Sequence, residues 1–540
     1  MKRVIMILAL GIAGCILFGC GQGKEPASEN TGTATESDAS GMASQGTPEE
    51  TEENMSETNK NVAAYFDGLK VNLGYKGVND TNPLMTQRFG ADPYAMVYED
   101  RVYFYMTADR IERDSAGNVK ENSYSSIFKI NVISTDDMVN FTDHGSVYAA
   151  SAVGAAKWAH NSWAPAAAWK MIDGKPKFFL YFADAGGGIG VLTSDSPTGP
   201  FVDPLGKALI SRSTPNCANV LWLFDPAVLV DDDGTGYIYF GGGVPQDRVS
   251  DPGTARVAQL GDDMISIVGE PVAIDVPYLF EDSGIHKYGN KYYYTYCSNW
   301  QVDAAGTEKY GFTNAEIISL ESDNPMGPFV FKEKILENPG KYCGLYGNNH
   351  HCVFNFRDNW YITYHNRLLE KKMGIEHGYR STNIDEFEMG EDGTIGIIKQ
   401  TTTGREQLKY VDAYAENKAV TMAVMSGLDT KPLTDKGSDM ILTGIDTGDF
   451  LKVQGVDFGD TAPSKWNARI RTTEEKGDKC AIQVRIDRLY GDVLGYLSVE
   501  DAEDFVNCQA ILESEVTGVH DLYLIFSGSG YEMESWSFQK

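Results

Sequence analysis

Five short stretches decide how this chain is read: Val102-Tyr103-Phe104-Tyr105, Phe178-Phe179-Leu180-Tyr181-Phe182, Tyr237-Ile238-Tyr239-Phe240, Tyr292-Tyr293-Tyr294-Thr295-Tyr296 and Trp360-Tyr361-Ile362-Thr363-Tyr364. Each is crowded with aromatic and β-branched residues, which suit a pleated, half-buried strand. Each follows a turn signal: Glu99-Asp100, Asp173-Gly174, Asp231 to Gly234, Gly289-Asn290 and Asp358-Asn359. The centres Tyr103, Phe179, Ile238, Tyr293 and Tyr361 lie 76, 59, 55 and 68 residues apart, a period that suits propeller blades with insertions. An outer phrase repeats too, since Ser194-Asp195-Ser196-Pro197-Thr198-Gly199-Pro200-Phe201 returns as Ser322-Asp323-Asn324-Pro325-Met326-Gly327-Pro328-Phe329. The pattern predicts a five-bladed β-propeller over residues 62–408. A pair of β-sandwiches would not need five copies of one hairpin.

After about Gln407 the phrase stops, and alternating strands such as Cys480-Ala481-Ile482-Gln483-Val484-Arg485-Ile486 and Asp521-Leu522-Tyr523-Leu524-Ile525-Phe526 take over. They predict a separate β-sandwich (jelly-roll) domain over 409–540, so the expected class is all-β. The whole chain has 540 residues, 46 Lys plus Arg against 76 Asp plus Glu, and a net charge of −30. That field repels nucleic acid and anionic lipid headgroups. The eight cysteines include no C-x-x-C pair, which argues against a zinc or thioredoxin-type site. Cys480 and Cys508 are read as two buried thiols, with a disulfide between them as the alternative.

Residues 1–19 begin with Lys2 and Arg3 and continue through an apolar run from Val4 to Phe18, too short to span a membrane comfortably. The run ends in Leu17-Phe18-Gly19-Cys20, which resembles the lipobox of bacterial lipoproteins and implies acylation of Cys20 and tethering outside the cytoplasm. Residues 20–61 form an acidic linker: from Gly21 to Lys60 there are nine acidic residues, two lysines and almost nothing to bury. A coil of that length holds its ends about 35 Å apart.

Propellers place ligands at one mouth of the central channel, near the starts of the innermost strands. Counting back from the aromatic centres, Asp92 lies 11 residues before Tyr103, Asp225 lies 13 before Ile238 and Glu281 lies 12 before Tyr293. The flanks agree, with Ala91-Asp92-Pro93 beside Phe224-Asp225-Pro226 and Phe280-Glu281-Asp282. Converging carboxylates raise one another's proton affinity, so one can stay protonated while another is ionised. Glycosidic cleavage requires that pairing. Asp282, Asp232 and Asp233 are adjacent alternatives, the last two in a hairpin turn.

These phrases, with Ile285-His286-Lys287-Tyr288-Gly289-Asn290 and Gly347-Asn348-Asn349-His350-His351, resemble glycoside hydrolase family 43 from Asn82 to about Arg380. The resemblance implies a propeller acting on arabinose- and xylose-containing polysaccharides with inversion. It implies Asp92 as general base, Asp225 as modulator of the acid and Glu281 as general acid, with no cofactor required. Candidate sugar contacts are His160, Trp163, Phe224, Trp300, Asn349 and Arg380. His350 is similar to a channel histidine near a bound calcium, Ca2+, with His351 as its rival. Arg380, in Gly378-Tyr379-Arg380-Ser381-Thr382, favours an α-L-arabinofuranosidase on arabinoxylan or arabinan. The alternatives are a β-xylosidase, an endo-arabinanase, or a noncatalytic lipoprotein that captures oligosaccharide.

From about Lys409 the chain resembles a family 6 carbohydrate-binding module, at Val456-Asp457-Phe458-Gly459 and Gly518-Val519-His520-Asp521. Lys418 and Val420 stand where such modules carry a calcium-binding acidic pair, and Phe505 and Cys508 stand where they carry a stacking tryptophan pair. A sandwich that packs on the propeller and binds polysaccharide weakly is expected.

Overall fold

The computed structural model describes residues 61–434 and 437–540. The expected signal segment, Cys20 and the linker up to residue 60 lie outside the described residues. Five antiparallel sheets follow one another along the chain. The first holds β1 (Ala91–Tyr98), β2 (Arg101–Thr107), β3 (Lys129–Thr135) and β4 (Phe141–Tyr148). The second holds β5 (Trp163–Ile172), β6 (Lys175–Ala183), β7 (Gly188–Ser194) and β8 (Ile210–Ser211). The third holds β9 (Ala227–Val230), β10 (Gly236–Phe240), β11 (Ala255–Leu260) and β12 (Ile267–Ile274). The fourth holds β13 (Leu279–Tyr288), β14 (Lys291–Ser298), β15 (Ile317–Ser322) and β16 (Val330–Leu336), and the fifth β17 (His351–Phe356), β18 (Asn359–Asn366) and β19 (Ser381–Phe387).

In every sheet the aromatic phrase forms the second strand, and Tyr105, Tyr181, Tyr239, Tyr294 and Tyr364 are fully buried. The first strand of each sheet lies beside the first strand of the next, and β17 returns against β1, so the five close a ring. The ends of the ring are tied by polar groups. Asn82 Nδ2 donates to the Ile384 carbonyl (2.8 Å), and Arg405 Nη1 donates to Asn82 Oδ1 (2.9 Å). Burial pulls Arg405 down to about 10, still charged at neutral pH, and its donors serve carbonyls on both sides of the seam.

Beyond the ring, two six-stranded sheets share one apolar core that contains Leu451, Ile482, Leu524, Trp466 and Trp536. Residues 62 to about 80, expected in the first domain, pack on this second one instead. Val62 and Phe66 share a core with Val424, Phe450, Tyr523 and Ile525. The outer face of that sheet is apolar, and burying these side chains there removes it from water. The six described cysteines are all unpaired and buried, Cys480 and Cys508 among them.

The two domains are continuous through the sheet ladder, because Thr421–Met422 pairs with β4 as a fifth strand of the first sheet. Buried Asp143 on β4 locks the junction: it accepts from Gln87 Nε2 (3.0 Å), Thr430 Oγ1 (2.6 Å), Gly145 N (2.7 Å) and Arg88. Burial alone would raise this carboxyl, yet Arg88 and the hydrogen bonds hold it below the usual range. Its stabilisation is therefore present above the unfolded carboxylate pKa and is lost as pH falls through the lower folded value. Asp143→Ala, which leaves these donors without an acceptor, should destabilise the protein by about 3 kcal/mol. A melting midpoint equal to that of the parent protein would contradict this reading of the junction.

Candidate active site

At the start of four inner strands, three residues oppose two on the neighbouring strand. Ala91 and Tyr94 pair with Thr107 and Tyr105, Trp163 and Ala166 with Ala183 and Tyr181, and Glu281 and Gly284 with Cys297 and Thr295. In the third sheet Ala227 pairs with Tyr239 while Gly241 N donates to the Phe224 carbonyl, which gives the same count. The second residue of each bulge is left-handed: Asp92, Ala164, Asp225 and Asp282 have φ of 47°, 39°, 48° and 69°. Such a conformation costs a non-glycine residue roughly 1–2 kcal/mol. In three of the bulges, a side chain of the adjoining sheet accepts the N–H that this conformation turns outward. Ala164 N donates to Thr107 Oγ1 (2.8 Å), Asp282 N to Asp225 Oδ2 (2.9 Å) and Asp92 N to His365 Nδ1 (3.1 Å).

This register corrects the count made from sequence by one residue. The position equivalent to Asp92 and Asp225 is held by Asp282, whereas Glu281 stands with Ala91, Trp163 and Phe224. The first and fourth hairpins share a two-residue turn and the same bulge, so Asp282, 11 residues before Tyr293, is the counterpart of Asp92, 11 before Tyr103; the longer turn of the third hairpin spread the offsets and hid this. Glu281 and Asp282 both belong to the site because a bulge re-aims neighbouring side chains.

The ring brings Asp92, Asp225, Glu281 and Asp282 together around His350, all of them buried. His350 Nε2 lies 3.1 Å from Asp282 Oδ1, and its Nδ1 lies 3.6 Å from Asp92 and 3.9 Å from Asp225. His351 Nδ1 meets the other Asp282 oxygen at 2.6 Å. Burial pushes His350 below the ordinary imidazole range. The three carboxylates differ in surroundings. Burial would raise Asp92, but Arg380 Nη1 at 2.8 Å and the contacts with His365 and His350 hold it far below the usual range. Glu281 goes the other way: burial and the charges of Asp225, Asp92 and Asp282 push it well up, and its Oε1 has no hydrogen-bond partner. Burial and the charge of Asp92 also raise Asp225, which nevertheless accepts the Asp282 N–H. Of the coupled pair, Glu281 therefore keeps the proton, since Asp225 has a donor to stabilise its anion and Glu281 Oε1 has none.

Arg380, expected to contact sugar, is largely occupied by protein. Its Nε and Nη2 grip Asp109 (2.9 and 2.8 Å) while Nη1 holds Asp92. Asn349 is fully buried; its Nδ2 braces the carbonyls of Ala315 and Glu337, and its Oδ1 has no hydrogen-bond partner. Trp163 is half-buried beside Tyr124, Phe224 packs against Trp222, His160 is exposed, and Trp300 is 38% exposed just beyond β14. Sequence reasoning missed Asp109, Tyr124 and His365. Asp109 lies 271 positions from its partner Arg380, and no local pattern marks such a pairing.

Among the described residues no cluster of three or more His, Cys, Asp or Glu is arranged to hold a metal ion. Calcium takes six to eight oxygen ligands, whereas both nitrogens of His350 face carboxylates and Asp282 is shared between two imidazoles. The donor set does not fit a protein cage for calcium at His350. In the second domain the expected stacking positions are closed: Arg471 covers Phe505 at 4.7 Å and Cys508 is buried. A polar cleft of about 770 Å³ opens there instead, lined by residues that include Tyr414, Asn467, Arg469, Asn507 and Gln509.

Residues 81–395 match glycosyl hydrolases family 43, and residues 418–540 match carbohydrate binding module (family 6). The chain is 46% identical over 479 residues to an arabinoxylan arabinofuranohydrolase of Paenibacillus polymyxa, covering 85% of this chain and 74% of the relative. It is 43% identical over 485 residues to an arabinoxylan arabinofuranohydrolase of Bacillus subtilis, covering 86% and 93%. A crystal structure of a family 43 arabinoxylan arabinofuranohydrolase from Bacillus subtilis in complex with cellotetraose superposes with a TM-score of 0.81 at 41% identity, covering 86% of this chain and 98% of that one. The family match spans the five-sheet ring with its buried acids, and the chain belongs to glycosyl hydrolases family 43, with a family 6 carbohydrate-binding module after it.

Proposed function

We propose that the protein is an inverting α-L-arabinofuranosidase that removes arabinose side groups from arabinoxylan, and that its five-sheet ring is a five-bladed propeller with the site at one mouth. The observation that carries the chemistry is the opposite electrostatic treatment of two carboxyls in one site. Asp92, held ionised by Arg380, is the general base that takes a proton from water as the water attacks the anomeric carbon. Glu281, kept protonated by burial and by Asp225, is the general acid that protonates the departing glycosidic oxygen. Asp225 is the modulator that keeps that proton in place. Proton transfers among water, two carboxyls and the glycosidic oxygen complete the reaction without a cofactor. The choice of arabinose over xylose rests on the two relatives named for arabinoxylan, which align over most of this chain.

The enzyme is read as extracytoplasmic, tethered to the membrane as a lipoprotein through Cys20. Lys2, Arg3 and the apolar run before Cys20 support this. The second domain, with its polar cleft and closed stacking positions, is read as a weak polysaccharide binder.

Glu281→Gln should lower release of arabinose from arabinoxylan by about 10²- to 10⁴-fold, and by less on a nitrophenyl arabinofuranoside, whose leaving group needs little protonation. Asp92→Asn should impair both substrates alike. Equal product from the parent protein and Glu281→Gln would remove the catalytic assignment, and preferential release from xylobiose or debranched arabinan would remove the substrate assignment. With pH, activity is lost on the alkaline side as Glu281 deprotonates and on the acid side only as Asp92 protonates. Asp225→Asn should move the alkaline limb to lower pH because it removes a charge that holds the proton on Glu281. An unmoved limb would contradict the modulator role. Cys20→Ser should shift the protein from the membrane fraction to the soluble one, and unchanged partitioning would refute the tether.

A further inference from the structure

Between β2 and β3 the chain makes a long excursion, residues 108–128, the longest connection between second and third strands in the five sheets. It is stitched to the segment that carries Arg380. Tyr379 Oη accepts from Glu112 N (3.1 Å) and donates to the Lys120 carbonyl (2.9 Å), and Asn122 N donates to the His377 carbonyl (2.8 Å). Asp109 at one end of the excursion binds Arg380 through both side-chain oxygens. Near the other end stands Tyr124.

Three observations set Tyr124 apart. Its backbone is left-handed, φ 58°, a conformation that costs a bulky residue energy and gathers at functional sites. The strain is held from outside, because the Tyr124 carbonyl accepts the Trp163 indole N–H at 3.0 Å and Tyr124 N donates to Asn122 Oδ1 at 3.3 Å. Its ring is fixed between the Arg380 guanidinium, 4.7 Å from the centroid, and the edge of Trp163 at 6.2 Å. Its phenol hydroxyl has no hydrogen-bond partner among the described residues, and the carboxyl groups of Asp92 and Glu281 both lie near enough to influence it. Tyr124 is half-buried and its hydroxyl is open to solvent, free to meet a ligand. Here the protein spends several contacts on placing the ring against Arg380, which itself holds Asp92, and leaves the hydroxyl unpaired.

We propose that Tyr124 is a substrate-contacting residue whose phenol hydroxyl hydrogen-bonds a hydroxyl of the sugar lodged between Asp92 and Glu281, while its ring and Trp163 form one wall of the pocket. This rests on the glycosidase reading above. Tyr124 stands on a connection whose length differs from sheet to sheet, so it supplies selectivity that the carboxylates shared by the blades cannot.

The test pairs Tyr124→Phe, which keeps the ring on Arg380, with Tyr124→Ala, which removes both. Nitrophenyl arabinofuranoside serves as substrate, and free arabinose titrated into the Glu281→Gln background serves as the binding probe. Tyr124→Phe should lower kcat/KM about 5- to 30-fold, the value of one hydrogen bond. It should weaken arabinose binding by a similar factor and leave both limbs of the pH profile and the melting midpoint in place. Tyr124→Ala should lose more and also raise the acid limb, because Arg380 loses its support. Parent-like kinetics and arabinose binding in Tyr124→Phe would overturn the proposal. So would a loss accompanied by a shifted acid limb, which would mean that Tyr124 acts only through Arg380. A parent protein that releases no arabinose at all would overturn the glycosidase reading first, and this inference with it.

Discussion

The site depends on one backbone feature, the left-handed bulge at the start of the inner strands. Unbroken β-ladders would alternate side chains between two faces, and neighbouring residues could not serve one opening. The bulge turns Asp92, Asp225 and Asp282 toward a common centre and brings Glu281 in beside Asp282. Its strain is offset because each outward N–H that finds an acceptor finds it on the adjoining sheet: Thr107 for Ala164, Asp225 for Asp282 and His365 for Asp92. Folding of the ring and assembly of the site are thus one event. The acids are held in place by the same hydrogen bonds that join sheet to sheet.

From that geometry the electrostatics follow without further components. Burial acts to raise Asp92, Asp225 and Glu281 alike, and the difference between base and acid comes from who stands next to whom. Asp92 is bound directly by Arg380, which Asp109 orients from behind; Glu281 faces three other carboxylates whose effect outweighs that of Arg380, and it has an unpartnered oxygen. His350 and His351 separate the negative charges and take up the oxygens of Asp282. A site of this kind is costly for stability, and the junction around Asp143, the seam at Asn82 and Arg405, and the large shared core offset that cost elsewhere.

Much of this was legible in the sequence because it repeats. The five aromatic phrases are the second strands of the five sheets, and the Asp-Pro pairs mark two of the bulges. The alanine of Ala164-Pro165 marks a third and reveals that the position serves backbone geometry as well as chemistry. Glu281 was set one residue out of register because the longer turn of the third hairpin spread the offsets, although Asp282 keeps the 11-residue offset of Asp92. Arg380 was noticed for its flanks, but its partner Asp109 lies on an excursion with no periodic signal. The placement of residues 62 to 80 on the second domain was equally hidden, since an apolar segment does not declare which surface it will cover.

The central claim is that Glu281 carries a proton at neutral pH because Asp225 and the other acids surround it. Difference infrared spectroscopy of the carboxyl stretch, comparing the parent protein with Glu281→Gln, reads this directly. The account predicts a protonated carboxyl band at neutral pH that is missing from Glu281→Gln and weakened in Asp225→Asn. A spectrum in which Glu281 is already ionised at neutral pH in the parent protein would contradict it.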